Sequence, residues 1–272
     1  MIKAVFFDLD GTLLNSKKQI SEETVLALKK CREKDVKLFV ATARPPILDR
    51  MLNWTEKEFG LFDGGIFCNG GVERIGREDN YTYIPEHVVS YCVSETGKYP
   101  ELNIALQMEK NIHAFNRFPE KSTRKHWGIE DQEIRWIIPE YMKKVIKILI
   151  YYKNLVDSIT PVPVPLFESL KKNCSSKTKI YLTDQGKVIQ ITSARASKYN
   201  SIENIRKSLG FSKKEIAVFG DDMNDLEMLS GYENSIAMGN GEEKAKNAAG
   251  FITLDNDSDG IIYGLSRYLD II

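Results

Sequence analysis

Residues 4–7, Ala-Val-Phe-Phe, form an apolar run that stops at two carboxylates, Asp8 and Asp10. The same design recurs down the chain. "SEETVLALKKCREK" reads as a helix capped by Ser21, with Val25, Leu28 and Cys31 on one face. "VKLFVAT" reads as a second strand, "PPILDRMLNWTEKEFG" as a second helix with prolines in its first turn, and "GGIFCN" as a third strand. Strands that are apolar throughout, alternating with helices, predict a parallel sheet covered on both faces.

The last third repeats this. A helix over roughly 200–209 leads to the strand "EIAVFG", the helix "MNDLEMLSG", the strand "NSIAM", the helix "EEKAKNAAG", the strand "FITL" and a last helix from about 258. The two outer thirds are expected to share one doubly wound α/β sheet, residues 1–82 and 189–272. The middle, 83–188, is different. "LNIALQMEKNIHAF" and "KTKIYLTDQGKVIQIT" read as hairpins turning at Glu109-Lys110-Asn111 and Asp184-Gln185-Gly186. "MKKVIKILIYY" is open between helix end and strand. An inserted α+β domain is the expectation for this stretch.

Composition excludes several classes. Lys+Arg and Asp+Glu both number 38, so no excess of charge favours nucleic acid or an anionic membrane surface. No apolar stretch approaches the ~20 residues of a membrane span. Cys31, Cys68, Cys92 and Cys174 form no CxxC pair, which argues against a zinc site or a disulfide framework. The first apolar run is too short for a signal sequence, so a cytoplasmic location is expected. A monomer is the default.

In open parallel sheets, functional groups collect beyond the carboxyl ends of the strands. Asp8 and Asp10 follow the first strand, Thr42, Ala43 and Arg44 the second, and Gly220-Asp221-Asp222-Met223-Asn224-Asp225 the strand "EIAVF". Two unit charges ~4 Å apart repel by roughly 4 kcal/mol at an effective dielectric near 20. Carboxylates brought together must therefore protonate or surround a cation. With no His or Cys nearby in sequence, that cation is a hard one, and Mg²⁺ is the usual choice beside phosphate. The bland alternatives are a turn at Asp10-Gly11 and a helix N-terminus at Asp221-Asp222. Each explains one cluster; their joint occurrence favours a site.

"DLDGT" at 8–12, Thr42 in "FVATAR", Lys198 and "GDDMND" at 220–225 resemble the four motifs of the haloacid dehalogenase superfamily. The insertion lies between the second and third motifs, which is similar to subclass IIB, whose members include Mg²⁺-dependent sugar phosphatases. "CNGG" at 68–71 and "AMGNGEEKAKNAAGFITLDNDSDGI" also look like that branch. The resemblance implies a Rossmann-like core with an α+β cap.

It further implies Asp8 as nucleophile and Asp10 as general acid and base, with a pKa raised by neighbouring acids. Mg²⁺ would be held by Asp8 and Asp221 and the carbonyl of Asp10, with Asp225 and Asn224 in support. Thr42, Ala43, Arg44, Asn69, Lys198 and Asn224 would contact phosphate or substrate, a small phosphorylated metabolite. Three positions depart from the branch: Ala43 and Tyr199 stand where glycine is usual, and "GNG" at 239–241 replaces Gly-Asn-Ala. Lys187 is the second choice for the third-motif lysine. In the cap, His113, Arg117, His126 and Trp127 are candidates for substrate contact, although packing and solvated charge explain them as well. A phosphotransferase or mutase, and a phosphate-binding regulator without turnover, are the alternatives.

Overall fold

The computed structural model describes residues 1–153, 155 and 159–272. Five strands come first: β1 Ala4–Phe7, β2 Lys37–Ala41, β3 Gly64–Phe67, β4 Val72–Ile75 and β5 Glu78–Tyr81. Next come β6 Leu102–Met108, β7 His113–Phe115, β8 Ile134–Trp136, β9 Val145–Tyr152, β10 Thr178–Thr183 and β11 Val188–Ser193. The chain closes with β12 Ile216–Gly220, β13 Asn234–Ala237 and β14 Phe251–Ile252. The helices are α1 Glu22–Glu33, α2 Leu48–Leu52, α3 Glu56–Phe59, α4 Glu86–Thr96, α5 Lys121–Trp127, α6 Val164–Cys174, α7 Lys198–Ser208, α8 Leu226–Gly231, α9 Glu243–Ala248 and α10 Gly260–Tyr263. Among the described residues, no helix is long and apolar enough to cross a membrane.

The chain divides into two compact units. The first comprises Met1–Arg44, Leu52–Asn80 and Ser197–Ile272; the second comprises Pro45–Met51 and Tyr81–Ala196.

The first unit is built on an eight-stranded sheet of order β14-β13-β12-β1-β2-β3-β4-β5. Its strands from β14 to β3 run parallel, as the apolar pattern predicts, and β4 turns back antiparallel on β3. β1 lies at the centre and all four of its residues are buried. Its side chains alternate between the faces. Phe6 stacks on Phe39 of β2 on one face, with ring centroids 4.8 Å apart, and Phe7 stacks on Phe219 of β12 on the other at 5.2 Å. Each such buried side chain contributes roughly 1.5–3 kcal/mol. The two stacks fix β1 between its neighbours, so the chain emerging at Asp8 has a defined position. α1 begins as predicted: the Ser21 hydroxyl accepts from Thr24 N–H, and Val25, Leu28 and Cys31 are buried.

The stretch 45–60 is not one helix. α2 ends at Leu52, Asn53 takes a left-handed conformation (φ 55°), and Thr55 opens α3 with a capping box to Glu58. A cap residue this strong restarts the helix and explains the break.

The second unit carries a six-stranded sheet of order β10-β11-β9-β6-β7-β8. Both hairpin turns fall where the sequence places them, through Lys110 and Gln185 in left-handed conformations. The open segment 142–152 is resolved as a turn followed by β9. One face of this sheet packs on α4 and α6 around Val89, Ile104, Ile148 and Leu166. The other buries Ala105, Phe115, Leu149 and Tyr151, with the Trp127 ring set edge-on to Tyr151 at 4.8 Å. Trp127 is thus a packing residue. His113 is buried and shares a 2.7 Å hydrogen bond with the Asn111 carbonyl, whereas His126 is exposed.

Candidate active site

The first unit's polar residues gather at the carboxyl ends of β1, β2, β3 and β12, in three connected groups. In the first, Asp8, Asp221 and Asp225 each offer a carboxylate oxygen within 4.8 Å of the other two. Lys198, at the start of α7, reaches in with its Nζ 2.5 Å from Asp8 Oδ1 and 2.6 Å from Asp225 Oδ1. Lys198 is 1% exposed and Asp225 is fully buried, so these charges interact with little solvent screening. Lys187 lies in the second unit, directly after the β10–β11 turn.

Each member has a structural support. Asp225 Oδ2 accepts from the backbone N–H groups of Asp221 and Asp222, at 3.0 and 3.1 Å, and so shapes the loop after β12. The Thr12 hydroxyl donates to Asp221 Oδ1 at 2.7 Å. Gly11 has φ +88°, and a Cβ there would lie 2.3 Å from Asp221 Oδ2. Only glycine lets the backbone pass so close to this carboxylate.

The electrostatics follow from burial. Desolvation raises the Asp8 pKa well above the usual carboxylate range, and the charges of Asp225 and Asp221 push it further, against the pull of Lys198. Burial likewise raises Asp221 to about 6, with Asp225 adding to the effect and the Thr12 hydroxyl opposing it. Burial disfavours the Lys198 ammonium, but Asp225 and Asp8 outweigh it and raise its pKa. Three carboxylates against one ammonium leave an excess of two negative charges when all are ionised. An oxygen-only donor set with that excess fits a hard divalent cation.

The second group is Asp10 with Arg44 and Lys18. Arg44 grips Asp10 with two hydrogen bonds, Nε to Oδ2 at 2.6 Å and Nη2 to Oδ1 at 2.8 Å, and Lys18 adds a third at 2.8 Å. Burial works against ionisation, but these cations hold the Asp10 carboxyl down at about 2. This corrects the expectation of a raised pKa: Asp10 faces two cations, and the crowding of acids falls on Asp8 and Asp221 instead.

The third group is Thr42, Asn69 and Asn224. Asn69 N–H donates to the Thr42 carbonyl at 3.0 Å, and the Asn224 amide donates to Asn69 Oδ1 at 3.1 Å. Asn69 holds a left-handed conformation (φ 54°), which turns its side chain back after β3. The Thr42 hydroxyl accepts from Arg44 N–H at 3.1 Å, which leaves its own hydrogen to donate. Ala43 is half-buried between them.

Two contributors were not singled out from the sequence. Thr12 lies inside "DLDGT", and its hydroxyl spacing was the available signal. Asn240, in the "GNG" that stands in place of Gly-Asn-Ala, donates to the Gly11 carbonyl at 2.8 Å and ties two distant loops, a contact that nothing local in the sequence specifies.

A family model described as haloacid dehalogenase-like hydrolase matches residues 5–265. The chain belongs to the haloacid dehalogenase-like hydrolase family. It is similar to the 5-amino-6-(5-phospho-D-ribitylamino)uracil phosphatase YitU of Bacillus subtilis, at 25% identity over 98% of this chain and 97% of that protein. It is also 26% identical to the chloroplastic endoribonuclease YBEY of Arabidopsis thaliana, over 97% of this chain but only 46% of that longer protein. Among solved structures it resembles the subclass IIB sugar phosphatase BT4131, with a TM-score of 0.79 and 25% identity, covering 99% of this chain and 100% of that one. Family and relatives together define the chain as a phosphatase-type enzyme.

Proposed function

We propose that this enzyme is a Mg²⁺-dependent hydrolase of small phosphomonoesters that works through an aspartyl-phosphate on Asp8. The observation that carries this reading is the trio of buried Asp8 and Asp225 with half-buried Asp221, and the ammonium of Lys198 set among them. Asp8 and Asp221 would hold the cation with the Asp10 carbonyl, and Asp225 would support it through the loop it shapes. When bound, Mg²⁺ supplies charge that neutralises phosphoryl oxygens and keeps the raised carboxyls ionised.

Asp8 attacks phosphorus; its O–P bond forms as the bond to the leaving alkoxide breaks. Asp10 gives that alkoxide a proton. Water then attacks the aspartyl-phosphate, returning a proton to Asp10 and releasing phosphate. With Arg44 and Lys18 on it, Asp10 is ionised, which suits the second half as base. The first half requires Asp10 to be released by Arg44, for which an incoming phosphate offers the planar fork an alternative partner, and to take up a proton from solvent, which it passes to the alkoxide and regains from the attacking water. Thr42 donates its hydroxyl to the phosphate, Lys198 contributes charge, and Asn69 and Asn224 orient substrate.

YitU and BT4131 are named for substrates with phosphate on a polyhydroxylated carbon chain, so a sugar phosphate or similar polyol phosphate is the proposed class. Substrate choice is assigned to the inserted domain, 83–188. The reading includes a cytoplasmic monomer acting on free metabolites. Phosphate release should be screened across a panel of sugar and polyol phosphates with Mg²⁺ and with a chelator. Release that the chelator abolishes supports the proposal. Undiminished release in chelator overturns it, and phosphate transfer to a second hydroxyl without release points to a phosphotransferase.

A further inference from the structure

We infer that Tyr199 and Gly231 are a matched pair that sets where Lys198 stands, making Tyr199 a positioning residue; its catalytic consequence rests on the function proposed above. Tyr199 directly follows Lys198 on α7, and Gly231 ends α8, which begins directly after Asp225. The two helices are packed together in the first unit. A Cβ on Gly231 would lie 2.3 Å from Cε2 and 2.6 Å from Cδ2 of the Tyr199 ring, closer than atoms can approach. The backbone at Gly231 is not in the left-handed region, so any residue could adopt it. Glycine is also a poorer helix residue than alanine. The side chain is missing there to make room for the ring.

The ring cannot easily move aside. Tyr232 packs against it, with centroids 5.7 Å apart. Lys213 Nζ donates to the Tyr199 hydroxyl at 2.7 Å and sits over both rings, at 5.1 and 5.7 Å. Tyr232 is itself tied by its hydroxyl to Glu203 Oε1 at 2.7 Å, and Glu203 is held by the fork of Arg206. Tyr199 is therefore fixed at ring and hydroxyl, against α8 and against the turn carrying Lys213.

The consequence for Lys198 is geometric. Its ammonium bridges Asp8, after β1, and Asp225, at the start of α8. The separation of α7 and α8 fixes whether one side chain can satisfy both. The Tyr199–Gly231 contact is a direct constraint on that separation, because the ring occupies the place a Cβ on Gly231 would take. A bulky residue beside the lysine, where glycine is usual in the resembling branch, is thus compensated by an absent side chain across the helix pair.

The test uses the full chain with Gly231→Ala, Tyr199→Ala, Tyr199→Phe and the double variant Gly231→Ala/Tyr199→Ala. Metal-free protein is treated with acetic anhydride, and the acetylation rate of Lys198 is followed by peptide mass spectrometry. Buried Lys147 of the second unit is the control for general loosening. In parallel, kcat and KM are measured on p-nitrophenyl phosphate with Mg²⁺. In Gly231→Ala, Lys198 should label at least about 5-fold faster with Lys147 unchanged, and kcat should fall about 10- to 100-fold, the usual cost of displacing a catalytic group slightly. The double variant should recover both to within about 3-fold of the parent, and Tyr199→Phe should label Lys198 at the parent rate. Parent-like labelling in Gly231→Ala, or a double variant no better than Gly231→Ala, overturns the inference. Should Gly231→Ala not fold, Tyr199→Ala decides: faster Lys198 labelling supports the pair, and unchanged labelling overturns it. A parent chain with no turnover on any phosphomonoester defeats the proposed function, while the labelling comparison still decides the pairing.

Discussion

Lys198 and Asp8 are 190 residues apart in the chain, yet the lysine Nζ lies 2.5 Å from Oδ1 of the aspartate. The same ammonium meets Asp225, so one cation is shared by the ends of β1 and β12. Removing one partner of such a buried ion pair leaves the other uncompensated, which is typically costly by about 3–5 kcal/mol. The arrangement sets the terms for the variants that follow.

Asp8→Asn keeps the shape of the side chain and removes the nucleophile. Phosphate release from p-nitrophenyl phosphate should fall on the order of 10³-fold or more, with the variant still folded by circular dichroism. Near-normal turnover would defeat the aspartyl-phosphate scheme.

Asp221 sits with its pKa raised to about 6 from an ordinary 3.8. A carboxyl raised on folding keeps its proton in the folded state where the unfolded chain has lost it. Its contribution to metal-free stability is therefore complete below about pH 3.8 and is lost as pH rises through about 6. The loss is on the order of 2–3 kcal/mol. In Asp221→Asn this pH dependence should vanish, and the metal-free protein should be more stable than the parent at pH 7. Mg²⁺ should raise the melting temperature of the parent and leave Asp221→Asn unmoved. A parent indifferent to Mg²⁺ over a millimolar titration would contradict the assigned metal ligands.

His113 in the second unit gives the opposite sign. Burial lowers its pKa to about 4 from 6.5; the Asn111 carbonyl and Glu133 oppose this, while Arg50 and Lys147 add to it. The unfolded chain then takes up a proton that the folded state refuses. Stability should drop as pH falls from about 6.5 to about 4, by on the order of 3 kcal/mol, and level off below. Urea titrations of the parent and His113→Asn between pH 4 and 7 separate this effect from that of Asp221. Parallel pH profiles for the two proteins would show that His113 is not the group responsible.

Gly11→Ala places a methyl against Asp221 and forces a left-handed conformation on alanine. A destabilisation of about 1–3 kcal/mol is expected. Mg²⁺ affinity should also fall, because the carboxylate must move. Thermal melts with and without Mg²⁺ check both parts, and an unchanged melt in either condition would show that the close approach is not maintained in solution.

Much of this site can be read from local pattern. Asp8, Asp221 and Thr42 each end an apolar run, and hydrophobic periodicity alone assigns those runs to a parallel sheet. The Ser21 cap and both hairpin turns are local chemistry as well. The break at Asn53 was missed because prolines and apolar spacing suggested continuity, while the Thr55–Glu58 capping box competed within the same residues. The state of Asp10 was missed for a different reason. The nearest charge in sequence is the acid Asp8, but the charges it meets in space are Arg44, 34 residues away, and Lys18 across the following turn.

Sequence by itself determined which residues end the strands, because burial of β1, β2 and β12 follows from their apolar composition. Tertiary structure alone decided which charges face one another: that Lys198 joins Asp8 and Asp225, that Arg44 takes Asp10, and that Tyr199 fills the space over Gly231. The reason is range. Periodicity and capping act over a few residues, whereas a pKa or a steric fit depends on atoms a few ångströms away in space, and these come from segments as far apart as Thr12 and Asp221, separated by 209 residues.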